Sequence, residues 1–355
     1  MLCQDLQGKA ATSCDRAQAK PWADAHRADL QEANSLGDLP LSKNFTSRAP
    51  PRLPFLRSLR ITMTILNVLH RTEYRYAETV SFGPHRMMMR PRDSHDLRLI
   101  DTALTIAPAA TVRWMHDVFG NSVAIAEFSE LSDALLVVSS FRAEHYPLPE
   151  TEVTLEAYAR RYPFSYDALE IPDIGRTVER HYPDPEHKVD AWARRFVRRG
   201  DGDTLGILRA MTAAIRDDFA YNARDEMGTQ DPLVTLDGGT GTCRDFALFL
   251  MEAVRGLGFA ARFVSGYLYD EELVGENRMV GGGATHAWVQ IYLPGAGWVE
   301  FDPTNALMGG RNLIRVAVTR DPSQAIPLSG SFTGAADAYL GMTAAVEITA
   351  EPAGS

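Results

Sequence analysis

The chain has 355 residues, 36 Lys and Arg against 46 Asp and Glu for a formal net charge of −10, and 45% hydrophobic residues. That length and apolar content suit about two folded domains and exclude a wholly disordered chain. The acidic balance, with no dense Lys/Arg block, speaks against a nucleic-acid or membrane partner.

No apolar run reaches the roughly 18–20 residues of a membrane-spanning helix. The start, MLCQDLQGKAATSCDRAQAK, lacks the basic-then-apolar order of a secretory signal, so a cytoplasmic protein is expected. Three cysteines, Cys3, Cys14 and Cys243, are too few for a disulfide framework. Residues 1–62 show no period of 2 or 3.6 and end in RAPPRLPFLRSLR, which reads as a disordered extension. Met63 stands directly before a clean strand pattern, which makes it a candidate for the biological start.

Residues 63–148 alternate short β-rich runs with turn residues: ILNVLHRTEYRYA, PHRMMMRP, LRLIDTALTIAP, VRWMHDVF, SVAIAEF and ALLVVSSFRAEHY. Six strands in that span predict a β-sandwich, with Gly120-Asn121 turning a hairpin and Met87-Met88-Met89 packing in the sheet. Residues 149–200 are rich in Pro, Tyr and charge. They read as a linker with one amphipathic helix at 188–199 and with His181 and His187 on the surface.

Residues 201–355 read as an α+β domain. Asp203 or Thr204 caps a helix running to about Phe219, with Leu205, Leu208, Met211, Ile215 and Phe219 at helical spacing. A polar, glycine-rich loop, YNARDEMGTQDPLVTLDGGTGT, leads to a second helix opened by Thr242-Cys243-Arg244-Asp245, a capping box. Strands follow in RFVSGYLY, HAWVQIYL and GWVEFDP, and further strands close the C-terminal stretch.

Cys243 thus falls in the first turn of a helix, where unpaired N–H groups and the helix dipole favour a thiolate. A lone cysteine beside an apolar helix is more often a small buried hydrophobe. His286 opens a half-buried strand and Asp302 ends the next one, and a hairpin between them would bring the two side chains together. Each has a structural reading, a core histidine and an Asx turn before Pro303. Taken in order, Cys243, His286 and Asp302 are the residue types of a nucleophile, a general base and acid, and an orienting carboxylate. Zinc is disfavoured because no C-x-x-C or H-x-x-x-H pair involves these residues, and EELVGENRMVGGG lacks the acidic spacing of a calcium loop. No metal or cofactor is expected.

GTCRDFALFLMEAVRGLGFAARFVSGYL and THAWVQIYLPGAGWVEFDPTN resemble the core of the bacterial transglutaminase-like superfamily, which includes papain-like microbial cysteine peptidases. RTEYRYAETVSFGPHRMMMRPRD and VRWMHDVFGNSVAIAEF resemble the N-terminal domain of the same subfamily. The resemblance implies a papain-like α+β core, with Cys243 as nucleophile, His286 as base and acid, and Asp302 holding the imidazole. It implies acyl transfer through a thioester on a peptide or protein substrate. Water as acceptor makes a peptidase or amidase, and a lysine amine makes a transglutaminase. A binding protein on the same fold is the third reading. The backbone N–H of Cys243 is one oxyanion donor, and Gln230 and Trp288 are candidates for the second.

Overall fold

The computed structural model describes residues 63–146, 153–199, 202–223, 228–269 and 283–351. The extension 1–62 with Cys3 and Cys14, and the EELVGENRMVGG stretch that ends in Gly281-Gly282, lie outside the described residues. Arg60–Ser355 forms one compact unit, so the parts expected as separate domains pack together.

Six strands come first: β1 (Thr64–Phe82), β2 (His85–Met87), β3 (Leu97–Ala107), β4 (Ala110–His116), β5 (Ser122–Phe128) and β6 (Ser132–His145). Gly120, at φ 75°, turns β4 into β5, which pair antiparallel. Helices follow: α1 (Ile171–Val178), α2 (Lys188–Arg199) and α3 (Thr204–Asp218). The chain continues through β7 (Ala220–Tyr221), α4 (Pro232–Gly238), β8 (Thr240–Gly241) and α5 (Cys243–Gly256). The last strands are β9 (Ala261–Leu268), β10 (Thr285–Leu293), β11 (Gly297–Asp302), β12 (Leu307–Met308), β13 (Leu313–Thr319), β14 (Leu328–Ser329), β15 (Phe332–Thr333) and β16 (Tyr339–Glu351). No helix among the described residues is long and apolar enough to cross a membrane.

One sheet has the order β12-β11-β10-β9-β13, all antiparallel. Its apolar face, with Phe263, Val289, Ile291 and Phe301, packs on Phe246, Phe249, Leu250 and Ala253 of α5. Alternation along β10 therefore places Ala287, Val289 and Ile291 toward the helix, and His286, Trp288 and Gln290 on the other face. The N-terminal strands divide between two further sheets, β15-β1-β6-β3 with β16 also on β1, and β14-β2-β5-β4. They share an apolar cluster that includes Val80, Met87, Met89, Ala124, Leu135 and Val137.

Three expectations are corrected. The C-terminal strands do not all belong with residues 201–355: β13 extends the α5-backed sheet, but β14 pairs with β2, and β15 and β16 pair with β1. Residues 149–200, expected as a linker with one amphipathic helix, bury Leu155, Val189, Trp192 and Ala193 in the same apolar cluster as α5 and carry a second helix, α1. His181 is not solvated. Its side chain is 14% exposed and its ring meets Arg320 at 2.9 Å, because Glu252 of α5 accepts the His181 and Tyr182 backbone N–H groups and draws the segment inward.

Candidate active site

Thr242 caps α5, accepting from the Asp245 N–H at 3.4 Å, while the Asp245 carboxylate accepts from the Thr242 N–H at 2.8 Å and hydroxyl at 2.9 Å. This is the expected capping box. Cys243 is the first helical residue, beside backbone N–H groups with no intrahelical acceptor. Its thiol is free and buried. Gly241 before it has no room for a side chain: a Cβ would stand 2.9 Å from Asp245 Cβ and 3.0 Å from Gln230 Nε2.

His286 and Asp302 meet across the β10–β11 hairpin, whose turn closes with Ala296 N–H donating to Leu293 at 2.9 Å. His286 Nε2 donates to Asp302 Oδ2 at 2.9 Å, with both side chains fully buried. Asp302 is held in turn by the Thr304 N–H at 2.9 Å and by Asn305 Nδ2 at 2.8 Å. Trp288 stacks on the imidazole with centroids 5.9 Å apart and planes 27° apart. The other ring nitrogen, Nδ1, is buried without a partner in hydrogen-bond geometry, yet the Cys243 side chain is close enough to act on the ring's titration.

Burial alone would push the His286 pKa down. The charge and hydrogen bond of Asp302, with the Cys243 side chain, outweigh it and raise the pKa to about 10. Burial raises the Asp302 pKa, but His286, Asn305 and the Thr304 N–H together bring it below the usual carboxylate value. The arrangement places a thiol beside an imidazole that retains its proton at neutral pH and is braced by a carboxylate.

Of the candidate oxyanion donors, Trp288 is corrected: its indole N–H donates to Glu300 Oε2 at 2.6 Å and is already used. Gln230 stands at the edge of the site, with Nε2 donating to the Thr240 carbonyl at 2.6 Å. Tyr221 is the residue missed in the sequence. It pairs with Gly241 in the parallel β7–β8 bridge, its ring meets Phe246 edge-on at 6.3 Å, and its phenol is near enough to the Cys243 side chain for that group to raise its pKa. Burial, then the Cys243 and Asp245 charges, push the phenol up to about 12. A two-residue strand has no periodicity, so only the Phe219-Ala220-Tyr221 aromatic pair after α3 hinted at it.

Among the described residues, the one set of three ligand-type side chains close together is Asp184, His187 and Asp190. The Arg180 guanidinium already bonds both carboxylates, at 3.3 and 2.6 Å, and supplies the positive charge there.

Residues 66–144 match the bacterial transglutaminase-like N-terminal region, and residues 190–303 match the transglutaminase-like superfamily. The uncharacterized protein Rv2569c of Mycobacterium tuberculosis is 29% identical over 273 residues, covering 74% of this chain and 86% of its own. The uncharacterized protein ML0607 of Mycobacterium leprae is 25% identical over 286 residues, covering 80% and 98%. A Cytophaga hutchinsonii protein solved as a candidate cysteine protease superposes with a TM-score of 0.62 at 16% identity, over 81% of this chain and 91% of that one. That likeness is one of fold.

Proposed function

This chain belongs to the transglutaminase-like superfamily, and from that premise we propose that it is a cysteine-dependent acyl-transfer enzyme acting on a peptide or carboxamide, with hydrolysis as its main outcome. The observation that carries the reading is the buried His286–Asp302 hydrogen bond at 2.9 Å, with the remaining imidazole nitrogen unpartnered and the Cys243 side chain beside the ring.

In this reading Cys243 and His286 rest as a thiolate–imidazolium pair, the thiolate attacks the acyl carbon, and His286 gives its proton to the departing amine or ammonia. Asp302 holds the ring orientation and stabilises the imidazolium. The tetrahedral oxyanion is met by the backbone N–H of Cys243 and by the Tyr221 hydroxyl, which keeps its proton through the working pH range. Water then resolves the thioester.

The test is to trap the acyl-enzyme with activated acyl probes, map the adduct, and offer water or a primary amine. The expected result is an adduct on Cys243 that water discharges, and none in Cys243→Ala. Iodoacetamide at neutral pH should label Cys243 with Cys3 and Cys14 as internal controls. A Cys243 that stays unlabelled while the controls react, or full turnover by Cys243→Ala, removes the mechanism.

A further inference from the structure

The face of the α5-backed sheet that carries His286 and Trp288 continues into a polar layer built from neighbouring strands. Glu300 Oε2 accepts from Trp288, and Oε1 accepts from Gln290 Nε2 at 2.8 Å and from Arg315 at 2.7 Å. Arg315 also reaches both Asp96 carboxylate oxygens, at 3.1 and 3.2 Å. A cavity of about 520 Å³ opens onto this layer, with His95 on its wall. Both carboxylates that line it, Glu300 and Asp96, are therefore engaged by one cation, Arg315.

Arg262 is the second cation there, and no carboxylate contacts it among the described residues. Its guanidinium lies 3.6 Å over the Trp298 ring and donates once, to Gln290 Oε1 at 2.8 Å. Its Nε is buried with no acceptor. Burial pushes its pKa down to about 10, so it is charged at neutral pH. Arg262 is partly buried, feels the charge of Glu300, and lines the cavity with the guanidinium edge that Gln290 does not use. Stacking on Trp298 holds the guanidinium plane, and a planar fork of donors fits a planar carboxylate better than a point-like ion. The volume lies within the range of small-molecule pockets.

We propose that the cavity under Arg262 and Trp298 is a second, non-catalytic binding site for a carboxylate carried by a small organic acid or by a peptide. It is separate from the thiol chemistry, and its test needs no turnover.

The test is calorimetric titration of the full chain carrying Cys243→Ala, at constant ionic strength, with N-acetyl-L-alanine, benzoate and uncharged N-acetyl-L-alaninamide. Saturable binding of one or both acids, and none of the amide, is the expected result, and the tighter acid distinguishes a peptide-type from a free aryl source. Arg262→Gln should weaken binding by about tenfold or more. Gly310→Leu should block the cavity without touching Arg262: the nearest atom to a Cβ there is Glu300 Cγ, at 4.0 Å. Binding of the amide as tight as that of the acids overturns the proposal. So does unchanged binding in a variant that retains its melting temperature, or no saturable binding of either acid in the millimolar range.

Discussion

Cys243 has polar neighbours with different duties. In the proposed reaction His286 exchanges its proton, whereas Tyr221, held up near 12, keeps its own and can only donate. Tyr221 is 41% exposed, and in the proposed reaction its hydroxyl faces the developing oxyanion. Tyr221→Phe removes that donor while keeping the edge-on packing against Phe246. The expected outcome is a kcat about 10²-fold lower with KM little changed, by analogy with loss of one oxyanion donor elsewhere. Alkylation by iodoacetamide, which develops no oxyanion, should be retained. Loss of alkylation together with kcat would instead mean that the phenol positions the thiol.

At the scale of elements, α5 organises the chain around it. Its N-terminus presents Cys243, and its last turns carry a fully buried ion pair, Arg255 to Glu252 at 2.8 Å. Arg255 also donates to the Thr177, Ala261 and Arg320 carbonyls. One helix thereby ties down α1, the His181–Tyr182 segment and the end of β13. Glu252→Ala leaves the guanidinium buried without its partner and two backbone N–H groups without an acceptor. A loss of about 3–5 kcal/mol is expected from urea unfolding, because removing one member of a buried pair costs more than the pair contributes.

The same elements show what a sequence conveys. α2, α3 and α5 are legible because apolar residues recur at helical spacing, for α3 and α5 behind identifiable caps, and β10 and β11 because they alternate. Cys243, His286 and Asp302 could be proposed because each ends or begins one of those patterned elements. α4 falls in a stretch the sequence presents as loop, since seven residues between glycines offer too little periodicity, although Asp231-Pro232 is a valid helix start with Asp231 accepting from the Leu233 N–H at 2.8 Å. The pairing of β16 with β1 was illegible for a different reason: alternation shows that a strand has a buried face but not which partner it meets.

For the whole molecule, buried histidines of opposite character shape the pH dependence. Burial pushes His70 and His145 down from 6.5 to about 4. The unfolded chain therefore binds these protons first, and stability is lost as pH falls from about 6.5 to about 4. His286, raised to about 10, acts in reverse: its contribution is full below 6.5 and is lost as pH rises through 10. The melting temperature should peak near neutrality and decline on both sides. His70→Asn should flatten only the acid limb in a calorimetric series from pH 4 to pH 10. An acid limb unchanged by that substitution would contradict the assignment.

The union of β1 with β16 joins Asn67 to Glu351, 284 positions apart, through a side-chain hydrogen bond and a continuous antiparallel ladder. A ribosome adding about 5–20 residues per second takes roughly a quarter of a minute to a minute to cover that interval. Throughout it, β1 holds an unzipped edge, available to chaperones or to another nascent chain. Cys243 and Asp302 are both synthesised before that edge is closed, so the candidate site is translated well ahead of the strand that finishes the sheet around β1.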